Sequence, residues 1–465
     1  NERILFVNVE RDFDRIAPLF EVALSLNDEN DVFFFDLARP NTSFKERFGN
    51  YWKELFRGRW IPSALKPIDE GFGVEYIPWP QIPSLQEFLC SQVKFSIEDR
   101  ELLLLAKRNQ EIEIYKFPEQ AHDWFEQSQY GLSLLLNILI KTIVKHEVNR
   151  VFCWNGRFVL STLVDIACRK AGVISSSIEM GSENESFEIF RTNPWDFSDT
   201  HRRVLDLKNR QSNGLINEVN TSQITSHFKP SNSNIFSSNF KPRPTVLESK
   251  DVVFFTSSLH ELGTRPGYLY SIDVQFDLVK KISEITRNHG LNFCIRVHPN
   301  PQTPNYEEWE SQKWREFNKE ELSNSAEIIL PNSSTSSYDL AKQAKLNITY
   351  QSTIGFEILS LSLPILMLNP EIAPPLSKDQ LLVWAEDRLV GMLDEKTLIC
   401  DSKEMELLAN YHYFYRGFRF HYLQKINDKV FFSGILVARE ANSSSQLLKY
   451  SYRISRKQKF QKLFR

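Results

Sequence analysis

Residues 346–368 read Leu346-Asn347-Ile348-Thr349-Tyr350-Gln351-Ser352-Thr353-Ile354-Gly355-Phe356-Glu357-Ile358-Leu359-Ser360-Leu361-Ser362-Leu363-Pro364-Ile365-Leu366-Met367-Leu368. A short apolar run ends in hydroxyl residues, a helical pattern follows, and a second apolar run closes the stretch. The spacing predicts a strand over 346–350, a helix over 353–361 and a strand over 365–368. Two apolar strands joined through a helix pair in parallel and are buried by helices on both faces.

The same alternation extends upstream, with strands over 252–256, 292–297 and 327–330 and helices over 272–289, 307–317 and 337–344. It recurs near the start of the chain as a strand over 4–9, a helix over 14–26 and a strand over 32–37. An irregular Trp- and Pro-containing stretch, 76–83, precedes long helical patterns that end with 118–148. A strand over 150–154, the turn Asn155-Gly156, a helix over 158–171 stopped by Gly172 and a strand over 173–178 follow. From 208 to 250 the composition shifts to Ser, Asn, Thr and Pro, which marks a linker or a long surface excursion. The expected fold class is therefore α/β, with two Rossmann-like domains that face a cleft. The first domain spans 1–207, 208–250 connects, 251–400 forms the second domain, and 401–465 forms C-terminal helices and a basic tail.

Composition narrows the function classes. With 42% hydrophobic residues in a chain of 465, disorder as the main state is excluded. A formal charge of −3 gives no overall positive field of the kind nucleic-acid binders carry. Five cysteines without a CxxC pair do not make a disulfide framework, so a reducing compartment is expected. The longest apolar runs, 132–140 and 356–368, are too short and too interrupted to span a bilayer. Charged Glu2, Arg3, Glu10, Arg11 and Asp12 bracket the first strand, which does not read as a signal peptide. A soluble, cytoplasmic protein is the expectation.

Four groups of residues can carry chemistry. Ser352 and Thr353 end a strand and open a helix containing Gly355, where hydroxyls, unpaired N–H groups and close backbone approach suit a phosphate. Glu357, one turn on, can accept from ribose hydroxyls; the plain alternative is that Ser352 or Thr353 is an ordinary N-cap. His298, before Pro299, stands at the end of an apolar strand, where an imidazole can protonate a leaving phosphate oxygen or simply bond a loop carbonyl. Ser257, Ser258, His260, Glu261 and Arg265 cluster after the strand over 252–256, in a segment that also reads as a turn. In the first domain, Asn155 and Arg157 at a strand-to-helix turn suit an anionic or acceptor group, and Glu179 at a strand end suits a general acid or base. Asp12-Phe13-Asp14 spells DxD, but Asp14 is better read as a helix cap. HExxH, P-loop and GxSxG motifs are missing from the sequence, and the nine His residues show no metal-ligand spacing.

A His-Pro dipeptide after a strand, a Ser-Thr pair opening a helix with Gly and Glu behind it, and a two-domain α/β chain together resemble the GT-B glycosyltransferases. More closely, they resemble the bacterial capsule and lipopolysaccharide enzymes that use CMP-sugars, the sialyltransferases and Kdo transferases. The likeness is clearest over 252–368 and weaker around Asn155-Gly156-Arg157 and Glu179-Met180-Gly181. It implies that His298 contacts or protonates the donor phosphate, that Ser352 and Thr353 bind it, and that Glu357 holds the nucleoside. Glu179 then faces the acceptor. In retaining β-Kdo transferases the segment matching Ser257 to Glu261 tends to read Ser-Ser-x-Asp-Glu, with a carboxylate there as nucleophile. Here His260 takes the Asp position, and Glu261 is the candidate to assume the carboxylate role. The resemblance implies a nucleotide-sugar co-substrate, no metal or other cofactor, and a surface polysaccharide or lipid-linked glycan as acceptor. Two rivals stand beside it: a sugar-nucleotide epimerase of the same fold, and a catalytically silent glycan- or nucleotide-binding protein.

Residues 441–465 contain no acid and carry Lys449, Arg453, Arg456, Lys457, Lys459, Lys462 and Arg465 among Leu, Ile, Tyr and Phe. Such a tail suits the anionic inner face of a membrane, where lipid-linked acceptors reside, and equally suits a closing helix with solvated cations. A nucleic-acid partner is not expected, because no recognisable module accompanies it. If the membrane reading holds, truncation after Glu440 abolishes co-sedimentation with anionic vesicles at low salt; unchanged binding would dispose of it.

Overall fold

The computed structural model describes residues 2–9, 29–38, 75–77, 93–110, 119–180, 186–190, 197–213, 250–258, 272–299, 304–333, 335–350, 354–361, 363–368 and 377–394. Four short strands between 418 and 437 and isolated residues elsewhere, Ser352 among them, complete the described set. The chain divides into two compact units, Asn1–Asp199 with Phe414–Arg465, and Thr200–Tyr413.

In the first unit the strands are β1 (Arg3–Asn8), β2 (Asp31–Asp36), β3 (Glu75–Ile77), β4 (Arg150–Trp154), β5 (Ile174–Met180) and β6 (Ser186–Phe190). The order β3-β2-β1-β4-β5 is parallel throughout. Helices α1 (Ile97–Gln110), α2 (Glu119–Lys145) and α3 (Val159–Ala171) accompany it. Phe6 and Phe152, on neighbouring strands, stack at 5.0 Å inside a core that includes Leu135, Leu139, Leu163 and Ile166. Gly172 ends α3 with φ 70, a left-handed conformation that costs a residue without Cβ little. The expected helix over 14–26 is described only at isolated positions, of which Leu19, Val22 and Ala23 are buried.

The helix α4 (Phe197–Ser212), which the composition did not announce, lies across the division of the chain. Most of the expected linker, 214–249, lies outside the described residues. The second unit carries β7 (Val252–Phe255), α5 (Ile272–Asn288), β8 (Phe293–Arg296), α6 (Pro304–Glu320), β9 (Ala326–Ile329), α7 (Ser337–Gln343), β10 (Leu346–Tyr350), α8 (Ile354–Ser360), β11 (Ile365–Leu368) and α9 (Lys378–Asp394). All five strands are parallel in the order β11-β10-β7-β8-β9. Counted from each unit's first strand, both parallel arrays have the order 3-2-1-4-5, so the order reverses between β1 and β4 in one and between β7 and β10 in the other.

Where residues after 400 are described, they form strands and not the expected helices. The described residues there are strands β12 (Phe418–Phe420), β13 (Gln424–Ile426), β14 (Lys429–Phe431) and β15 (Leu436–Val437). β12 pairs antiparallel with β6 and β15 with β12, which extends the first sheet to eight strands. Phe418-Arg419-Phe420 alternates at the period of a strand, and β6 offers it an edge. The basic tail, 441–465, lies outside the described residues.

One face of the second sheet packs Phe254, Ile295, Ile348 and Leu366 with Leu278, Val279 and Ile282 of α5. On the other face α8 approaches so closely that a Cβ on Gly355 would sit 2.8 Å from Thr349 Oγ1 and 2.9 Å from Met367 Cε. Overpacking of this kind costs about 1–3 kcal/mol. Gly355→Ala is accordingly expected to destabilise the second unit by that amount, read from urea unfolding of the full chain.

Candidate functional site

In parallel sheets the crevice outside the carboxyl ends of the strands, where strand order reverses, is the usual ligand seat. In the second unit that position is bounded by the ends of β7 and β10, with β8 alongside. The β7–β8 ladder continues past the strands: Thr256 N–H donates to Arg296 O at 3.1 Å, and His298 N–H donates to Thr256 Oγ1 at 2.9 Å. The backbone of the His-Pro dipeptide is thus fixed by a threonine hydroxyl across the strand end, and both the imidazole and Pro299 are half-buried. Ser258 is buried one residue beyond Ser257, and Ser352 is half-buried after β10.

Two of the candidate site residues, Ser257 and Gly355, serve the packing of the fold. Ser257 N–H donates to Gln275 Oε1 at 2.8 Å, Gln275 Nε2 donates to Ser257 O at 3.3 Å, and Ser257 Oγ donates to Tyr350 O. Both of its donors are used within the fold, which ties the end of β7 to α5 and β10. Gly355 does not open room for an anion, since Thr349 and Met367 fill the space a side chain would take, and its N–H donates to Ser352 O at 3.1 Å. Gln275, wholly buried on α5, could not be singled out from sequence, because nothing in the helix marks it as a partner of Ser257.

Glu357 on α8 accepts from Tyr338 OH on α7 at 2.5 Å. Burial pushes its carboxyl above the ordinary carboxylate range, and the Tyr338 hydrogen bond opposes that in part. Arg296, last residue of β8, is 3% exposed and donates from Nε to Ser337 Oγ at 3.2 Å and from Nη1 to Leu330 O at 2.5 Å. Burial lowers its pKa to about 10, so it remains a cation at neutral pH. The signal in the sequence was a single charge inside the apolar run Phe293 to Val297.

In the first unit the structure brings three predicted residues together. Asn155, 3% exposed with φ 68, and Gly156, with φ 51, turn the chain sharply between β4 and α3. Asn155 N–H donates to Ile178 O at 2.7 Å, while its Oδ1 accepts from Arg157 Nε at 2.9 Å. The same nitrogen lies 3.8 Å from Glu179 Oε2, and the guanidinium stands 5.5 Å from the centre of the Phe158 ring. Asn8 and Asp36, at the ends of β1 and β2, join this edge as a buried pair through Asn8 Nδ2 donating to Asp36 Oδ1 at 2.8 Å. Glu188 of β6, fully buried, stands opposite Glu179 in the antiparallel ladder.

His260, Glu261, Arg265, Thr353 and the Asp12-Phe13-Asp14 tripeptide lie outside the described residues. Among the described residues no three His, Cys, Asp or Glu side chains gather as a metal site, and no helix is long and apolar enough to cross a membrane. Cys153 and Cys294 are buried thiols pushed up to about 12, which makes them inert as nucleophiles.

No protein-family model matches the chain, and no curated protein sequence does. Among solved structures, the chain is similar to a putative UDP-N-acetylglucosamine 2-epimerase from Listeria monocytogenes at 11% identity, with 88% of this chain and 91% of that one covered and a TM-score of 0.28. It is similar to the UDP-GlcNAc 2-epimerase of Methanocaldococcus jannaschii in complex with UDP-GlcNAc and UDP, at 13% identity, 85% and 100% coverage and a TM-score of 0.29. A third is KpsC of Thermosulfurimonas dismutans, a beta Kdo 2,7 transferase, at 14% identity, 53% and 79% coverage and a TM-score of 0.30. At such scores the likenesses carry no weight, and the fold class rests on the two strand orders themselves.

The state of Glu357 supplies a pH test. Its native pKa lies above the unfolded value near 4.5, so between the two the native chain holds a proton that the unfolded chain has lost. The stability it contributes is complete below the unfolded pKa and is lost as pH rises through the native one. The wild type should lose stability with rising pH more steeply than Glu357→Gln above about 4.5, read from chemical denaturation at a series of pH values.

Proposed function

We propose that the chain is a sugar-nucleotide enzyme, a glycosyltransferase that moves a sugar from a nucleotide donor, CMP-linked and of the Kdo type by preference, onto a surface polysaccharide or lipid-linked glycan. The observation that carries this reading is the carboxyl edge of the second sheet. There the position where strand order reverses is flanked by a half-buried imidazole, His298, whose backbone is fixed by Thr256. Ser258 and Ser352 stand at the ends of β7 and β10, and the Tyr338–Glu357 pair bridges α7 and α8.

Glycosyl transfer breaks the bond between the anomeric carbon and a phosphate oxygen, and the negative charge left on that oxygen has to be met. In this reading His298 donates a proton or a hydrogen bond to it, and Ser258 and Ser352 hold the phosphate. Thr353 is assigned the same role from the motif alone. Glu357 accepts from the ribose hydroxyls. Glu179 takes the proton of the attacking acceptor hydroxyl, with Arg157 and Asn155 holding the acceptor's polar or anionic groups. Glu261 remains the candidate carboxylate for a covalent, retaining route, with His260 beside it and Arg265 as a further anion ligand. Protein groups supply the neutralising charge, so no metal is assigned a part. The tail over 441–465 is assigned to the membrane surface that carries a lipid-linked acceptor.

The test combines binding with turnover. CMP should raise the melting temperature of the full chain above the rise given by UDP, GDP or CDP. Stabilisation by UDP or GDP alone would sink the donor assignment. His298→Ala should lower transfer or donor hydrolysis by about 10²–10⁴-fold while the chain stays folded, and EDTA should leave the wild-type rate unchanged. Conversion of a free sugar nucleotide to its epimer with no acceptor present would establish the epimerase reading in its place. Binding with no turnover under any condition would establish the silent one.

A further inference from the structure

Arg296 interrupts the apolar strand at its carboxyl end, and its hydrogen-bond partners among the described residues are neutral. Nε donates to the hydroxyl of Ser337 at 3.2 Å and Nη1 to the carbonyl of Leu330 at 2.5 Å. A guanidinium carries five N–H donors, so these two acceptors leave most of its capacity unmet. Among the described residues no carboxylate comes within ion-pair distance of it. Other arginines of this chain differ in that respect: Arg157 has Glu179, Arg150 has Glu2, Arg3 has Glu147, and Arg169 has Glu98, Asp99 and Asp165. Those four keep 23–40% of their side-chain surface in water, whereas Arg296 is 3% exposed.

A buried cation with no counter-charge is among the costliest groups a fold can hold, and an apolar residue of similar volume would spare that cost. Position argues against a purely structural role. Arg296 and His298 are two residues apart at the same strand end, where Val297 between them donates to Ile329 O at 2.9 Å and His298 N–H donates to Thr256 Oγ1 at 2.9 Å. Ser337, which holds Nε, is the neighbour of Tyr338, the partner of Glu357. The unmatched charge therefore stands among the groups assigned to the donor.

We propose that Arg296 is a binding residue for a phosphate-class anion at the carboxyl edge of the second sheet, the missing counter-charge being the phosphoryl group of the ligand. The two neutral acceptors fix the plane of the guanidinium, and its remaining donors suit two-point contact with phosphate oxygens. This inference rests on the sugar-nucleotide reading for the identity of the ligand, though not for the anion site itself.

Three arms test it on the full chain at constant ionic strength. Inorganic pyrophosphate, with chloride as the control, should raise the wild-type melting temperature. In Arg296→Met that rise should vanish, while the melting temperature without anion stays at or above the wild-type value. Arg296→Lys keeps the charge without the fork; it should fold and bind pyrophosphate roughly ten- to hundredfold more weakly than wild type, the worth of a charge-assisted pair. In the third arm, CMP and UDP should bind wild type more tightly than cytidine and uridine, and the ratio should fall towards one in both variants.

A wild type indifferent to pyrophosphate overturns the proposal. So does a pyrophosphate affinity or a nucleotide-to-nucleoside ratio that is undiminished in the variants; if Arg296→Met also melts lower without anion, the arginine is a structural tie to Leu330 and Ser337. Should Arg296→Met not fold, the Arg296→Lys arms decide alone. Pyrophosphate binding that depends on Arg296, in a chain that turns over no sugar nucleotide, would uphold the anion site and refute the proposed function. Turnover with an Arg296-independent anion response would do the reverse.

Discussion

A strand buried on both faces of a parallel sheet can carry polar groups cheaply only where its ladder ends, and the rest of this chain's chemistry follows from that constraint. Because the five strands of each parallel array run the same way, their carboxyl ends gather along one edge. Asn8, Asp36, Asn155 and Glu179 stand at that edge in the first unit, and Arg296, His298, Ser258 and Ser352 in the second. Asn347, near the start of β10, shows what a polar residue needs elsewhere. It is completely buried and serves as a tie, with Nδ2 donating to Ala341 O and Pro364 O while Oδ1 finds no partner. Burying such a group has a cost that only its two backbone contacts offset.

The edge of the second unit is stiffened before any ligand arrives. Thr256 and Gln275 extend the hydrogen bonding of β7 beyond its last ladder residue, and Ser257 reaches across to β10. Neutral hydrogen bonds of this kind contribute about 1 kcal/mol each, and several acting on one strand end hold it in one conformation. Under the proposed function, an edge built in this way needs little reorganisation to receive a charged group, which is what stabilising a leaving phosphate demands. Fixing the seat removed Ser257 from the candidate ligands, since a hydroxyl that donates within the fold has no second proton to give.

How far the sequence could be read depended on the range of the interaction involved. The strands β4, β10 and β11 fall on the residues their apolar runs predicted, because burial on both faces writes a local pattern. Gly172 was legible for the same reason, as a left-handed C-cap is a property of one residue. Gly355 was not: its missing side chain makes room for Thr349 and Met367, and only the packed structure says which neighbour needs the space. The pairing of β12 with β6 joins residues more than two hundred positions apart, and no local signal announces it. Among the candidate site residues, Asn155, Arg157 and Glu179 could be placed at a turn and a strand end because these are local features. Their mutual contact could be learned only from the register of β4 with β5.

The two units share one strand order, yet their edges are chemically unlike, and the difference bears on what each can bind. The first edge sets Arg157 against Glu179, with Asp36 and Glu188 buried nearby in the same sheet, so its one named cation already has an acid beside it. An anionic ligand there has to compete with Glu179 for Arg157, whereas a neutral hydroxyl gains from a carboxylate held in place by a guanidinium. The second edge offers an imidazole, hydroxyls and a buried guanidinium with neutral partners, and the carboxyl of Glu357 there is shifted towards its neutral form by burial. Negative charge is therefore favoured at the second edge and opposed at the first. That asymmetry supports the proposed division of labour, in which the second unit receives an anionic group and the first a neutral hydroxyl.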